Sequence, residues 1–356
     1  MRVMLTAAAM ALLVCVSVAA QAPTRITSPA RTPAAARTPD GHPDFQGTYN
    51  VATLTPVERP ENAGGKLTLT DAEAAAIERA ERERVFQRAL PSRADRDAPP
   101  VGANVGGYNN FWIDRGSQTM IVDGQRRTSL IVDPPDGKIP PMLADAQKRN
   151  AALRRAAPTS DAPESAVSDE PGAFDDMELR PLGERCLLGF GSTSGPPTLP
   201  NYFYNNLKQI VQTPDSILIQ VEMVHDARIV RMNQPHLPSH IKKWMGDSVG
   251  RWEGDTLVVD TTNFTPKTRF RGSSDTLHIV ERFTRTSDGN LLYRFTVEDP
   301  TTWTRPWTGE YPWVATDEIM YEYACHEGNY ALGDIMRGAR LLEAEEVAKK
   351  TSGSRP

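Results

Sequence analysis

Residues 246–264 read GDSVGRWEGDTLVVDTTNF, and this stretch decides the fold class. Arg251-Trp252-Glu253 runs into Gly254-Asp255, a turn pair of the kind that joins antiparallel strands. Leu257, Val258 and Val259 then form a short apolar, mostly β-branched run, closed by the polar residues 260–263. The chain on either side repeats this unit. Residues 208–212 and 216–223 predict a hairpin about Thr213-Pro214-Asp215, with a further strand over 228–232. Residues 277–285 and 291–299 predict another, about the turn at 286–290. Residues 127–133 form a strand stopped by Pro134-Pro135-Asp136-Gly137, 108–114 and 118–122 have strand character, and 318–326 reads as a late strand. With 29 prolines and 25 glycines in 356 residues, the chain favours turns and strands over a helical bundle. So many hairpins create unpaired edges, which closure removes. The expected fold is mainly β, an antiparallel barrel or a two-lobed lipocalin-like barrel with a few peripheral helices.

The helices predicted are few. Residues 67–87 carry Thr70 and Glu73 in capping-box spacing ahead of an Ala/Glu/Arg run. Residues 144–156 form a basic helix, 238–245 a short one and 333–350 a terminal one. At the N-terminus, Arg2, the apolar run 5–16 and Ser17-Val18-Ala19-Ala20 have the form of a cleaved secretory signal. Val14 occupies the place where a lipobox before Cys15 needs a small residue, which argues against a lipid anchor. The expected organisation is a signal at 1–20, a disordered linker at 21–42, a β-rich domain at 43–340 and a tail at 341–356. An internal boundary or insertion is expected near 145–178, where an acidic Ser/Pro-rich loop follows the basic helix. Without Cys15, the chain retains Cys186 and Cys325, which in an oxidising compartment predict one disulfide. The competing readings are a thiol nucleophile at Cys325 or a metal ligand. Net charge is −5, with no basic tract to follow phosphates, so nucleic acid is not an expected partner. The apolar run at the N-terminus is too short to span a bilayer, so no transmembrane segment is expected.

Strand alternation nominates the chemistry. Ile217, Ile219, Val221, Met223 and His225 would share one face, leaving His225 at the end of an apolar stripe. Glu281 would share a face with Leu277, Ile279 and Phe283, where a carboxylate must be paired or hold its proton. Pairing to Arg228 or Arg282 would make it structural. His278 falls on the opposite face. In the late strand, Glu322 and His326 share one face, and Tyr321, Tyr323, Cys325 and Glu327 the other. The catalytic assignment is His225 as general base, Glu281 or Glu327 as proton partner, and Arg228 or His326 as electrostatic stabiliser. Trp303, Arg305 and Trp307 would line one side of an extended segment, a ligand platform joined by Tyr323, or else a self-packed unit at a barrel rim. His236 and His240 have i, i+4 spacing, but Pro238 lies between them, and no metal motif is present. Neither a Gly-x-Ser-x-Gly elbow, a P-loop nor a dinucleotide fingerprint occurs, so no cofactor is expected; a scattered His/Asp/Glu metal site is the remaining alternative.

Together RTSLIVDPPDGKIP, HLPSHIKKWMGDSVGRWEGDTLVVDTTNF, LHIVERFTR, WTRPW and YEYACHEGNYAL resemble a widespread family of uncharacterised secreted bacterial proteins. The likeness covers about residues 43–340. It implies export and supplies no catalytic residues. Gly47-Thr48-Tyr49 stands where lipocalin-like barrels open with Gly-x-Trp. Three functions follow: an exported enzyme acting on a small aromatic or sugar-derived molecule by acid–base hydrolysis or elimination, a periplasmic small-ligand binding protein, and a structural envelope protein.

Overall fold

The computed structural model describes residues 37–90, 113–156, 174–189, 195–201 and 204–353, all within the compact unit Ala34–Pro356. The expected signal, most of the linker, the acidic loop after residue 156 and most of the strand at 108–114 lie outside the described residues.

The described residues form twelve strands. β1 (Gly47–Asn50) precedes a small hairpin, β2 (Ile121–Val122) and β3 (Gln125–Arg126), and the short β4 (Ile131–Asp133). The main series runs β5 (Leu207–Gln212), β6 (Ser216–Val221), β7 (Ala227–Met232), β8 (Asp247–Glu253), β9 (Thr256–Thr262), β10 (His278–Arg285), β11 (Leu291–Glu298) and β12 (Trp307–Thr316). β1 pairs with β5, each strand from β5 to β12 pairs with the next, and β12 returns to β1 through Tyr49 opposite Ala315. The result is one closed barrel of nine strands, not two lobes. All its pairings are antiparallel except β7 with β8, where Val230 lies opposite Ser248. β12 is long enough to pair with β1 near its end and with β4 near its start.

The opening stretch is a two-residue hairpin, with Glu253 opposite Thr256. Gly254 takes φ +60° at the first loop position, which a residue with a side chain adopts only at a steric cost. Alternation then directs Leu257 and Val259, Ile279 and Phe283, Tyr293 and Phe295, and Tyr311 and Trp313 into the barrel, all 0–1% exposed. The interior is therefore a packed core, as expected of a small barrel whose side chains fill it. At one end, Phe45 and Trp252 close the core, and His42 stacks on Trp252 with ring centroids 4.6 Å apart. Residues 195–201 enter the core: Thr198 N–H donates to the Tyr293 hydroxyl at 3.0 Å, and its carbonyl accepts from Tyr311 at 2.7 Å.

Among the described residues, three α-helices lie outside the barrel: α1 (Asp71–Ala89), α2 (Ala144–Ala156) and α3 (Tyr330–Gly353). The capping box of α1 is formed, with Glu73 N–H donating to Thr70 Oγ1 at 3.2 Å and Thr70 N–H donating to Glu73 at 2.8 Å. Three expectations change. Residues 318–326 form no strand, because amides there dock on side chains of the β6–β7 connection instead of on another strand. Residues 238–245 form no helix: Ile241 N–H closes a single turn on Pro238, and Lys243 then bridges to Phe264. β6 ends at Val221, so the alternation does not continue to His225. Residues 223–225 turn sharply, with Val224 and His225 at φ 62° and 53°.

Candidate functional site

The polar residues of greatest interest gather at the barrel end where β6 gives way to β7. Left-handed backbone is uncommon for residues with side chains and is a genuine outlier for a β-branched one. Four such residues lie in the segments that meet here: Cys186, Asn205, Val224 and His225. The tight turn docks on the first residue of β5 through Glu222, whose N–H donates to the Leu207 carbonyl at 3.0 Å, and His225 N–H donates to the Glu222 carbonyl at 3.3 Å.

Residues 318–329 cross this end as a strap. Tyr321 N–H donates to Glu222 Oε1 at 3.1 Å, and Tyr323 N–H donates to His225 Nε2. The Cys186–Cys325 disulfide ties the same strap to the segment before β5. Asn329 adds a bond to the Glu184 carbonyl at 2.7 Å. Because Nε2 accepts a backbone amide, the His225 proton sits on Nδ1, which is left as a donor. The Tyr323 ring stacks near Tyr204 with centroids 6.3 Å apart and meets the His225 ring edge-on at 6.5 Å.

Lys208 lies beneath this turn. Register pairs it with Tyr49 on one side and Val221 on the other, so its side chain points into the barrel. It is fully buried, and Nζ makes no hydrogen bond among the described residues. Burial draws the ammonium down to about 7, against the opposing pull of Glu222 and Asp226. Glu222 is itself buried, and its other oxygen accepts from Leu207 N–H at 3.3 Å.

Deeper in the barrel, Arg228 and Glu281 form a two-pronged ion pair, both buried, with Tyr293 donating to Glu281 Oε1 at 2.8 Å. Burial works against the Arg228 charge, but Glu281 outweighs it and raises the guanidinium further; burial also raises the Tyr293 phenol well above its ordinary value. This triad fixes packing between β7, β10 and β11. It is enclosed by Ser248 and Thr261, which bond one another at 2.9 Å.

The sequence candidates thus separate. His225 and Tyr323 meet at the strap, and His326 and Glu327 lie exposed on it just past Cys325. Glu281 and Arg228 pair inside the core. Trp303 and Trp307 are 3% and 0% exposed and pack edge-to-face with centroids 5.9 Å apart, so the expected platform is a core unit. Arg305 turns outward to Asp133 at 2.9 Å. Lys208 was missed because its strand, LKQIVQ, looks unremarkable alone. The signal lay in the hairpin: pairing 208–212 with 217–221 puts Lys208 on the apolar face.

A second polar chain runs over the outer wall. Asp247 bonds His236 Nδ1 at 3.2 Å, His236 Nε2 and His278 Nε2 both reach Asp260 Oδ1 at 2.9 and 3.1 Å, and His278 Nδ1 meets Glu298 at 3.1 Å. Hydrogen bonding to Asp260 raises His278 to about 8, burial opposing. Burial favours a neutral Asp260, yet the bonds to His278 and His236 hold its carboxyl below the usual range. All four ring nitrogens are engaged with carboxylates, which suits a clamp better than a proton donor to substrate. No group of three metal-ligating side chains in binding geometry occurs among the described residues, and no described helix is long and apolar enough to cross a membrane.

Comparison of the chain with protein-family models and with curated proteins gives no match to either.

Proposed function

We propose that this protein is an exported enzyme acting on a small organic molecule by acid–base chemistry at the strapped end of the barrel. The observation that carries the reading is Lys208, an enclosed amine without a hydrogen-bond partner among the described residues, set beside two carboxylates. A group poised near neutrality in such surroundings is suited to proton transfer. Lys208 takes the proton from substrate, and Asp226 and Glu222 stabilise the ammonium that forms. The Nδ1–H of His225 donates to oxygen on the substrate, and the Tyr323 and Tyr204 rings supply an aromatic flank. Export is supported by the N-terminal leader pattern and by a disulfide of the kind that persists in oxidising compartments. The binding-protein alternative loses its main support, because the Trp303 and Trp307 rings are buried.

The test is turnover by the purified protein on a panel of small aromatic and sugar-derived esters, lactones and β-hydroxy carbonyl compounds. The reading requires that Lys208→Met remove turnover and that His225→Ala lower it by about 10²-fold or more, with the far-UV spectrum retained. Turnover unchanged in both variants would overturn it.

A further inference from the structure

The chain has nine lysines, all within the described residues, and Lys208 alone is buried. Two carboxyl groups face it, Glu222 and Asp226, and His225, which precedes Asp226 on the same turn, has its Nε2 engaged by the Tyr323 amide. The backbone that aims them is held in left-handed conformations at Val224 and His225, the kind of strain that concentrates at functional sites.

We propose that Lys208 forms an imine with the carbonyl carbon of a small aldehyde or ketone, which makes the substrate class of this site carbonyl compounds. The inference rests on the acid–base reading above and deepens it. The neutral amine adds to the carbonyl carbon, forming the C–N bond while the C=O π pair moves to oxygen. That oxygen takes a proton from a neighbouring acid, and nitrogen gives one up, leaving a neutral carbinolamine. A second protonation of the hydroxyl expels it as water, the nitrogen lone pair forming the C=N bond. No oxidant or reductant enters the balance. The protonated imine then serves as an electron sink for loss of a proton or carbon fragment from the adjacent carbon.

Desolvation makes the amine competent at neutral pH. With its pKa drawn down to about 7, about half of Lys208 is neutral at pH 7, against about one in three thousand of an ordinary lysine. The lower basicity reduces intrinsic nucleophilicity, so the net preference over surface lysines is smaller, roughly tenfold or more. The strap that crosses this end of the barrel is irregular backbone held by the Tyr321 and Tyr323 amides and the disulfide.

The experiment is reductive trapping on the wild-type protein: benzaldehyde or butanal with sodium cyanoborohydride at pH 7, followed by peptide mapping. The expected result is N-alkylation of Lys208 at least tenfold faster than of any of the other eight lysines, with the advantage gone in urea. Asp226→Asn should slow trapping at Lys208 and leave the surface lysines unchanged. Labelling of Lys208 no faster than that of the surface lysines, or none, overturns the imine. If trapping fails while Lys208→Met still abolishes turnover, the lysine is a base and only the imine falls. If turnover also survives Lys208→Met, both readings fall.

Discussion

His278 offers a quantitative test of the outer clamp. A rise of its pKa from 6.5 to about 8 corresponds to about 2 kcal/mol at 1.36 kcal/mol per pH unit. The side chain is 31% exposed, and screening by water reduces this to about 1 kcal/mol. The folded pKa is the higher one, so the native state binds the proton more tightly. The contribution is complete below pH 6.5, declines as pH rises through 8 and is absent by about pH 9.5. Lys208 titrates in the same window with the opposite sign: its folded pKa is lowered, so its contribution to stability improves as pH rises above about 7. The wild-type profile alone therefore mixes two opposing trends. Urea unfolding of wild type and His278→Gln at pH 6 and pH 9.5 isolates the first, because Lys208 is common to both. The expected difference is about 1 kcal/mol larger at pH 6 than at pH 9.5. A difference independent of pH, or larger at pH 9.5, would refute the clamp.

Two further outcomes follow from the core and the strap. Glu281→Gln leaves Arg228 charged, buried and without its counter-ion, and should cost about 3–5 kcal/mol in urea unfolding, whereas Arg228→Met with Glu281→Leu should lie much closer to wild type. A single substitution costing under about 1 kcal/mol would mean that the pair is not enclosed in solution. Cys186→Ser opens a bridge spanning 139 residues, for which chain entropy predicts a loss of about 5 kcal/mol, and a reductant should lower the melting temperature of wild type and leave the variant's unchanged.

The fold was legible where local signals agree with tertiary ones. The hairpin at 246–264, the turn at 286–290 and the Thr70–Glu73 cap each depend on neighbours within a few residues, and each is present. The disulfide was legible because two cysteines remain once the leader is set aside. The residues 318–326 misled because alternating aromatics resemble a strand, and alternation carries no information about whether a partner strand exists. His225 misled for a related reason: periodicity runs on in sequence, but a strand ends where its hydrogen bonds do. The Arg228–Glu281 pair was anticipated as the structural alternative, since a carboxylate on an apolar face requires a partner. The outer clamp was not legible, because His236, Asp260 and His278 come from three separate segments that only register brings together.

One feature of the barrel follows from parity. Each antiparallel pairing reverses strand direction, and around a closed ring the reversals must be even in number. A ring of nine strands cannot alternate throughout, so at least one neighbouring pair has to run the same way, and here it is β7 with β8. A parallel pair needs a connection that travels back along the whole strand, and this one, residues 233–246, does so over the outer wall. The return path brings His236 onto Asp247 and Asp260, and Leu237 N–H onto Asp247 at 2.9 Å. The clamp is thus built on a loop that arithmetic demands. Redesign could move the parallel seam to another pair of strands, but only a change to an even number of strands would let the chain do without it.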